Sequence, residues 1–403
     1  MTLKITAIET LQSPLYGNIV WVLVHTSSGH TGLGETFRGA DAVVAHLHSG
    51  LAPSLIGRDP LEIESLSTEM LDPYVGYRSS SAEIRAASAI DIALHDLMGK
   101  YRKCPVYDLI GGLFRKQIRT YNTCAGTNYN RSGTRKVVHA NAVRAQAETF
   151  DDQDAVARDP AALARSLLDQ GITAMKIWPF DEFASRSSGG FISASELEIG
   201  CEPLRLIRAA VGNEMDLMLE MHGLWNLPAA LRIAQSVRPF NLLWAEDPLK
   251  AVNPQALATF AQRAGVPVCA SETLATSSAY LELLQCGAVD YVMIDLSWCG
   301  GLTEAKRICS LASAFQRPVT THDCTGPVVF AAGIHLALST RNVALQESVR
   351  AYYNGWYQDI LTVVPIPQDG HFAVPGGIGL GTELRREFLA RPDLIRRVTT
   401  APG

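Results

Sequence analysis

Three carboxylates recur at equal intervals in this chain. Glu220, Glu246 and Glu272 lie twenty-six residues apart, each at or just past the end of a short apolar run (216–220, 242–246 and 267–270). Equal intervals predict repeating units of equal length, so the three side chains are expected at similar height around one rim. Three hard oxygen donors on one face suit Mg²⁺, which keeps its other positions for water and substrate. Zinc would favour His or Cys. A single acid at a strand end reads most simply as a solvated or capping residue. Three in register, beside two histidines, do not.

The histidines are His322 and His222. His322 follows the run 318–321, and Asp295 closes the run 291–295, which is expected on the neighbouring strand. An aspartate that accepts from one imidazole nitrogen fixes the tautomer and makes the other nitrogen more basic, which is a general base. His222 stands two residues past Glu220, so on an extended strand the two point to the same side. As an imidazolium it would act as an acid opposite His322, or it would bind a substrate hydroxyl. Glu347 directly follows the last such run, 343–346.

The elements that must position these groups follow from periodicity. Eight short runs (118–123, 173–177, 216–220, 242–246, 267–270, 291–295, 318–321 and 343–346) are predicted strands. Amphipathic helices are predicted between them at 197–211, 228–238, 254–264, 276–286, 303–315 and 327–338. Alternation of this kind is the pattern of a (β/α)8 barrel, an α/β fold with chemistry at the strand ends. The doubly wound alternative needs a Gly-rich phosphate turn, and no GxGxxG is present. The polar stretch from Ala125 to about Asp152 is expected to be a surface excursion. Residues 1–117 read as an α+β cap: a meander, then a long helix from Ser81 to about Lys100. In that helix Ala86, Ile90, Ala93, Leu94 and Leu97 share one side, and Arg85, Ser88, Asp91 and Asp96 fall off it. The barrel is assigned to 118–364. The Gly- and Pro-rich tail, 365–403, is expected to return and complete the cap.

Composition excludes several functions. With 47% hydrophobic and 19% charged residues, the chain is too apolar for a disordered protein. Its net charge of −5 argues against nucleic acid as a partner. No apolar run approaches the roughly 18 residues of a membrane span, and no targeting segment is visible. The eight cysteines form no CxxC pair and read as reduced thiols of a cytoplasmic enzyme.

Taken together, these residues resemble the enolase superfamily in its mandelate racemase subgroup. The resemblance rests on GLGET (Gly32–Thr36), ASAIDIALHDLMGK (Ala87–Lys100), the three acids, DLSWCGG (Asp295–Gly301) and PGGIGLG (Pro375–Gly381), in that order. It implies an enolase-like modified barrel with a capping domain, and a homo-oligomer. It also implies a first step in which a base removes the proton α to a carboxylate and Mg²⁺ stabilises the enediolate. Carried over, Glu220, Glu246 and Glu272 become metal ligands and His322 with Asp295 the base. Glu347 becomes the group that donates to, or steadies, the enediolate oxygen, and donation requires it to be protonated.

Two departures from the racemase pattern narrow the expectation. Where racemases carry Lys-x-Lys, this chain has Lys176-Ile177-Trp178, and Trp178 takes no proton. Lys176 remains to meet a substrate carboxylate or a metal-bound oxygen. His222 resembles the galactonate dehydratase-like members, where such a histidine protonates a leaving β-hydroxyl. The expected function is therefore Mg²⁺-dependent dehydration of a small sugar acid. A racemase, epimerase or cycloisomerase through the same intermediate is the alternative, and a non-catalytic sugar-acid-binding barrel the alternative of another class. Tyr16, Tyr77 and Arg78 in the cap loops, with Trp178, are the expected substrate contacts.

Overall fold

The computed structural model describes residues 3–72, 81–129 and 150–401. Two sheets organise it. The first is antiparallel, with β1 (Ile5–Gln12), β2 (Ile19–Thr26) and β3 (Thr31–Phe37) in sequence order. The tail's last strand, β13 (Ile395–Thr400), pairs along the open side of β1. The second sheet is the barrel. Its strands are β4 (Gln117–Thr123), β5 (Ala174–Ile177), β6 (Asp216–Glu220), β7 (Trp244–Glu246), β8 (Val268–Ala270), β9 (Tyr291–Ile294), β10 (Val319–Thr321) and β11 (Val343–Ser348). They are parallel and adjacent in chain order, and β11 closes on β4. The short β12 (His371–Ala373) joins the outside of β4 antiparallel, so the tail touches both sheets.

The barrel's interior explains where chemistry can sit. Tyr121, Ala174, Met218, Trp244, Cys269, Met293 and Leu345 form one apolar cluster, a single layer with one residue from each of seven strands. Side chains alternate along a strand, so the next inward position lies two residues on. From six of these strands that step arrives at Thr123, Lys176, Glu220, Glu246, Asp295 and Glu347. The layer below is a plug, and the layer above is polar and buried.

The predicted helices between the strands form, with their ends read from local chemistry. Asn226 and Asn253 cap helices Leu227–Val237 and Pro254–Ala264, each with proline at the start of the helix. Ser193 and Glu196 make a reciprocal capping box on Ala194–Val211. Two features differ from expectation. Between β4 and β5, helices Asp152–Arg158 and Pro160–Leu168 follow the polar stretch. After β11 there is no long helix, only the single turns Arg350–Tyr353 and Tyr357–Ile360.

The long helix, Ala82–Arg102, lies between the cap sheet and the barrel and is buried on both sides. Its apolar stripe packs on β3, and the approach is close because Gly32 and Gly34 have no side chain. A Cβ on either would stand 2.0 or 1.9 Å from the carbonyl oxygens of Ala93 and Ala89. Three of its polar residues, Ser88, Asp91 and Asp96, do not face water. Ser88 accepts the amide of Gly300, Asp91 that of Thr303, and Asp96 those of Leu33 and Leu380. Lys100 pairs with Asp96 and Glu383 at 2.6 Å each, tying the tail to the helix. No helix among the described residues is long and apolar enough to cross a membrane.

Candidate active site

Strand register places the three acids unequally. Glu220 and Glu246 are direct partners across β6 and β7. Glu246, however, is opposite Cys269, so Glu272 lies three residues further on, in the turn above β8. Equal sequence intervals thus bring two carboxylates to one height and the third over them. The cause is the length of β8, which stops at Ala270.

Lys176 stands among the acids, 2% exposed. Its Nζ lies 3.2 Å from Glu220 and 2.9 Å from Glu347, and closer still to Glu246. Burial disfavours the ammonium, but Glu246 and Glu347 outweigh that and hold its pKa well above the ordinary lysine value. Glu246 is pushed well above the carboxylate range by burial, against the pull of Lys176. Its other oxygen accepts from the indole of Trp244 at 2.8 Å. Glu220 accepts the amides of Met221 and His222.

Asp247 adds a fourth acid that the spacing argument passed over, although it directly follows Glu246. Burial pushes its pKa well up, and the charges of Glu272 and Glu220 add to that. One oxygen accepts from Ser271 at 2.9 Å. The other, with Oε2 of Glu272, is buried and without a hydrogen-bond partner among the described residues. Crowded carboxylates with orphaned oxygens are costly unless a cation joins them. The donor set is all oxygen, so these residues fit a hard divalent cation.

His322 and Asp295 meet as expected. His322 Nδ1 donates to Asp295 at 2.7 Å, and Asp295 also accepts from Thr325 and from the Ser297 amide. Burial works against the imidazolium. The Glu347 charge and the Asp295 hydrogen bond overcome it and raise His322 to about 10. Glu347 accepts from Lys176, from the Thr123 hydroxyl and from the Asp323 amide. Burial opposes its ionisation, yet Lys176 and His322 hold its pKa below the ordinary value. With three donors aimed at it, Glu347 is an acceptor, and donation of its own proton is not supported.

His222 does not continue the strand. β6 ends at Glu220, and His222 has φ 48°, in the left-handed region. The turn aims its ring at two residues that sequence reasoning missed. Nδ1 donates to Asp181 at 2.6 Å, and Nε2 lies 3.1 Å from the Tyr129 hydroxyl. Burial lowers His222, but the Asp181 charge outweighs it and brings the value to about 9. Asp181 opens the short helix after β5, five residues past Lys176. An acid in that βα loop was the available signal. Tyr129 lies in the stretch assigned to the surface, and no pattern marked it.

The substrate contacts divide. Trp178 packs edge-on to His222 and tilted against Tyr129, with ring centroids at 5.7 and 5.3 Å. Tyr16 is 4% exposed, stacked on Trp356 and edge-on to Trp21. A line of rings runs from it toward the site: Trp356 meets Tyr352, whose hydroxyl donates to the Tyr129 carbonyl. Tyr77 and Arg78 lie outside the described residues.

Comparison with known families decides the ancestry of this arrangement. Residues 5–111 match the mandelate racemase / muconate lactonizing enzyme N-terminal domain, and 159–388 match the enolase C-terminal domain-like family. This chain belongs to the enolase superfamily. A solved enolase of the mandelate racemase subgroup from Agrobacterium tumefaciens is 42% identical. It covers 100% of this chain and 99% of its own, with a TM-score of 0.87. An enolase protein from Sargasso Sea environmental sequencing is 42% identical, with full coverage of both chains and a TM-score of 0.88. Among curated relatives, a D-galactonate dehydratase of Xanthomonas euvesicatoria is 29% identical over 97% of this chain and 94% of its own. A D-xylonate dehydratase of Haloferax volcanii is 27% identical over 94% and 87%. The enolase-superfamily barrel and its antiparallel cap are thus as the motifs led one to expect.

Proposed function

We propose that this protein is a Mg²⁺-dependent hydro-lyase acting on a sugar acid, an aldonate or an aldarate. The observation that carries the reading is a pair of His–Asp dyads, 322–295 and 222–181, closed at 2.7 and 2.6 Å. Their histidines follow β10 and β6, which are four strands apart in an eight-stranded ring and so on opposite sides. A substrate lying between them has one imidazole at each face. The names of the aligned relatives, D-galactonate and D-xylonate dehydratase, support the same reading.

In this reading the neutral form of His322, which the Glu347 charge and the Asp295 hydrogen bond make the minor form below about pH 10, takes the proton α to the carboxylate on Nε2, while Asp295 holds Nδ1–H and steadies the imidazolium. The C–H electron pair becomes a C=C bond, and the β-carbon–oxygen bond breaks. His222 gives its proton to the departing hydroxyl, which leaves as water. The enol gains a proton at C3 and becomes a 2-keto-3-deoxy acid. Lys176 offers its ammonium to the substrate carboxylate, and Glu347 keeps Lys176 and His322 in place as a fixed anion. Glu220, Glu246 and Glu272 would hold a divalent cation, which would supply Lewis-acid neutralisation of the charge that develops there. Trp178 and Tyr129 wall the His222 side.

Two histidines at opposite faces also suit two-base epimerisation, which is the second reading. The eight free cysteines fit a reducing compartment, and we propose the cytoplasm. We also propose a division into a cap, 1–117 with 365–403, a barrel, 118–364, and a homo-oligomeric state. The test is to incubate the purified protein with Mg²⁺ and a panel of aldonic and aldaric acids and detect keto acid. At least one acid is expected to yield it. A panel that returns only stereoisomers would replace dehydration with epimerisation.

A further inference from the structure

The chamber holds a second set of metal-ligating side chains, different in chemistry from the acids. A ring nitrogen of His322, Sγ of Cys324 and a carboxylate oxygen of Glu347 lie within 4.8 Å of one another. His322 and Cys324 sit in the turn after β10, and Glu347 on the adjacent β11. His322 keeps 9% exposure and Cys324 6%, while Glu347 is wholly buried.

The orientation of each donor is set by a partner. His322 Nδ1 is taken by Asp295, which leaves Nε2 to face the group, 4.0 Å from Glu347 Oε2. Lys176 and Thr123 take the other oxygen of Glu347. An imidazole whose far nitrogen donates to a carboxylate is the form in which histidine binds zinc best, because tautomer and ring angle are already fixed. A thiol adds a soft donor that zinc takes and Mg²⁺ does not. Donors of a tetrahedral zinc at about 2.0–2.3 Å stand roughly 3.5 Å apart. The group therefore needs to contract by about 1 Å, within reach of a χ1 rotation of Cys324.

We propose that His322, Cys324 and Glu347 form a soft-metal site that takes Zn²⁺ or a cation of similar softness and arrests turnover. Binding releases two protons to solvent, that of the Cys324 thiol and that on His322 Nε2, and the metal takes the lone pair so freed. A fourth position stays open to water or substrate. Binding does not depend on the function proposed above. Arrest does, because it assumes that His322 is the base.

The test titrates Co²⁺ into the Mg²⁺-saturated protein and reads near-ultraviolet absorption, where thiolate-to-cobalt charge transfer absorbs and carboxylate-bound cobalt does not. A band saturating near one equivalent is expected in the unmodified protein. It should vanish in Cys324→Ser and persist when Cys104 and Cys286, the two partly exposed cysteines, are both changed to Ser. Cys324→Ala, which adds no polar group, repeats the test should the serine variant fold poorly. Zn²⁺ should compete for the band, and its half-inhibitory concentration should rise at least about tenfold in Cys324→Ser. No thiolate band, or a band that survives loss of Cys324, overturns the site. A Cys324-dependent band with turnover indifferent to Zn²⁺ keeps the site and overturns the arrest, and with it the assignment of His322 as base.

Discussion

At the scale of single residues, His322 and His222 differ in what surrounds them. His322 has a carboxylate on each side, Asp295 and Glu347, whereas His222 has Asp181 on one nitrogen and a phenol on the other. His322→Asn is expected to abolish turnover while circular dichroism and Mg²⁺ affinity stay near those of the parent. His222→Asn should lower kcat by about 10²–10⁴, the usual worth of a positioned acid. Hydrogen–deuterium exchange at the α-carbon should survive in that variant, because His322 is intact. Exchange lost in both variants alike would show that His222 is not a separate acid. Much of this was legible before the structure, because strand-end residues are read at fixed offsets from apolar runs. Asp181 and Tyr129 were not, because loops carry no period. Nor was the true height of Glu272, because equal spacing says nothing about where β8 stops. The choice between donating and steadying at Glu347 was open for another reason. Crowding by acids was visible in the sequence, but the placement of Lys176 among them was not.

At the scale of elements, the cap holds the barrel's loops through β3 and the long helix. Glu35 on β3 accepts the Val328 and Val329 amides at 2.9 and 3.0 Å, capping the helix that follows the His322 turn. Burial raises its pKa to about 8 despite those bonds. Thr36 donates to the Ser297 carbonyl beside Asp295. Gly34→Ala would drive β3 off the long helix, since its Cβ meets the Ala89 oxygen. We expect a loss of about 3 kcal/mol or more in chemical denaturation, with kcat falling as these contacts loosen. An unchanged midpoint would refute the close packing. The helix Pro327–Ser339 offers a pH test. His335 accepts from the Tyr107 amide at Nδ1 and donates from Nε2 to the Leu380 carbonyl, so its neutral form is fully satisfied. Burial lowers its pKa to about 4. The unfolded chain then takes up a proton first, so stability is full above about pH 6.5 and falls toward pH 4, by roughly 3 kcal/mol. His335→Gln should flatten that part of the profile relative to the parent, and an equal slope in both would remove His335 as its cause. The six predicted barrel helices were legible from their apolar stripes. The burial of Ser88, Asp91 and Asp96 was not, because a polar face bonded to a second layer has the same pattern as one facing water.

At the scale of the whole molecule, both chain ends meet in one sheet, and the acids gather under it at the barrel's open end. Lys176 lies against three buried carboxylates, Glu220, Glu246 and Glu347, and two more, Asp247 and Glu272, crowd beside Glu220. Mg²⁺ should therefore stabilise the protein, by about 2.7 kcal/mol at a hundred times its Kd, and chelation should reverse the gain in a thermal melt. The gain should be lost in Glu272→Gln, whose oxygen has no partner to lose, and a full shift in that variant would move the cation elsewhere. The central claim is elimination across C2–C3 by two opposed imidazoles. Its most direct test is turnover of a productive sugar acid in D2O, followed by NMR. The account requires a 2-keto-3-deoxy acid carrying one deuterium at C3. Recovery of the starting acid or its epimer, labelled at C2 and with no keto acid, would contradict it.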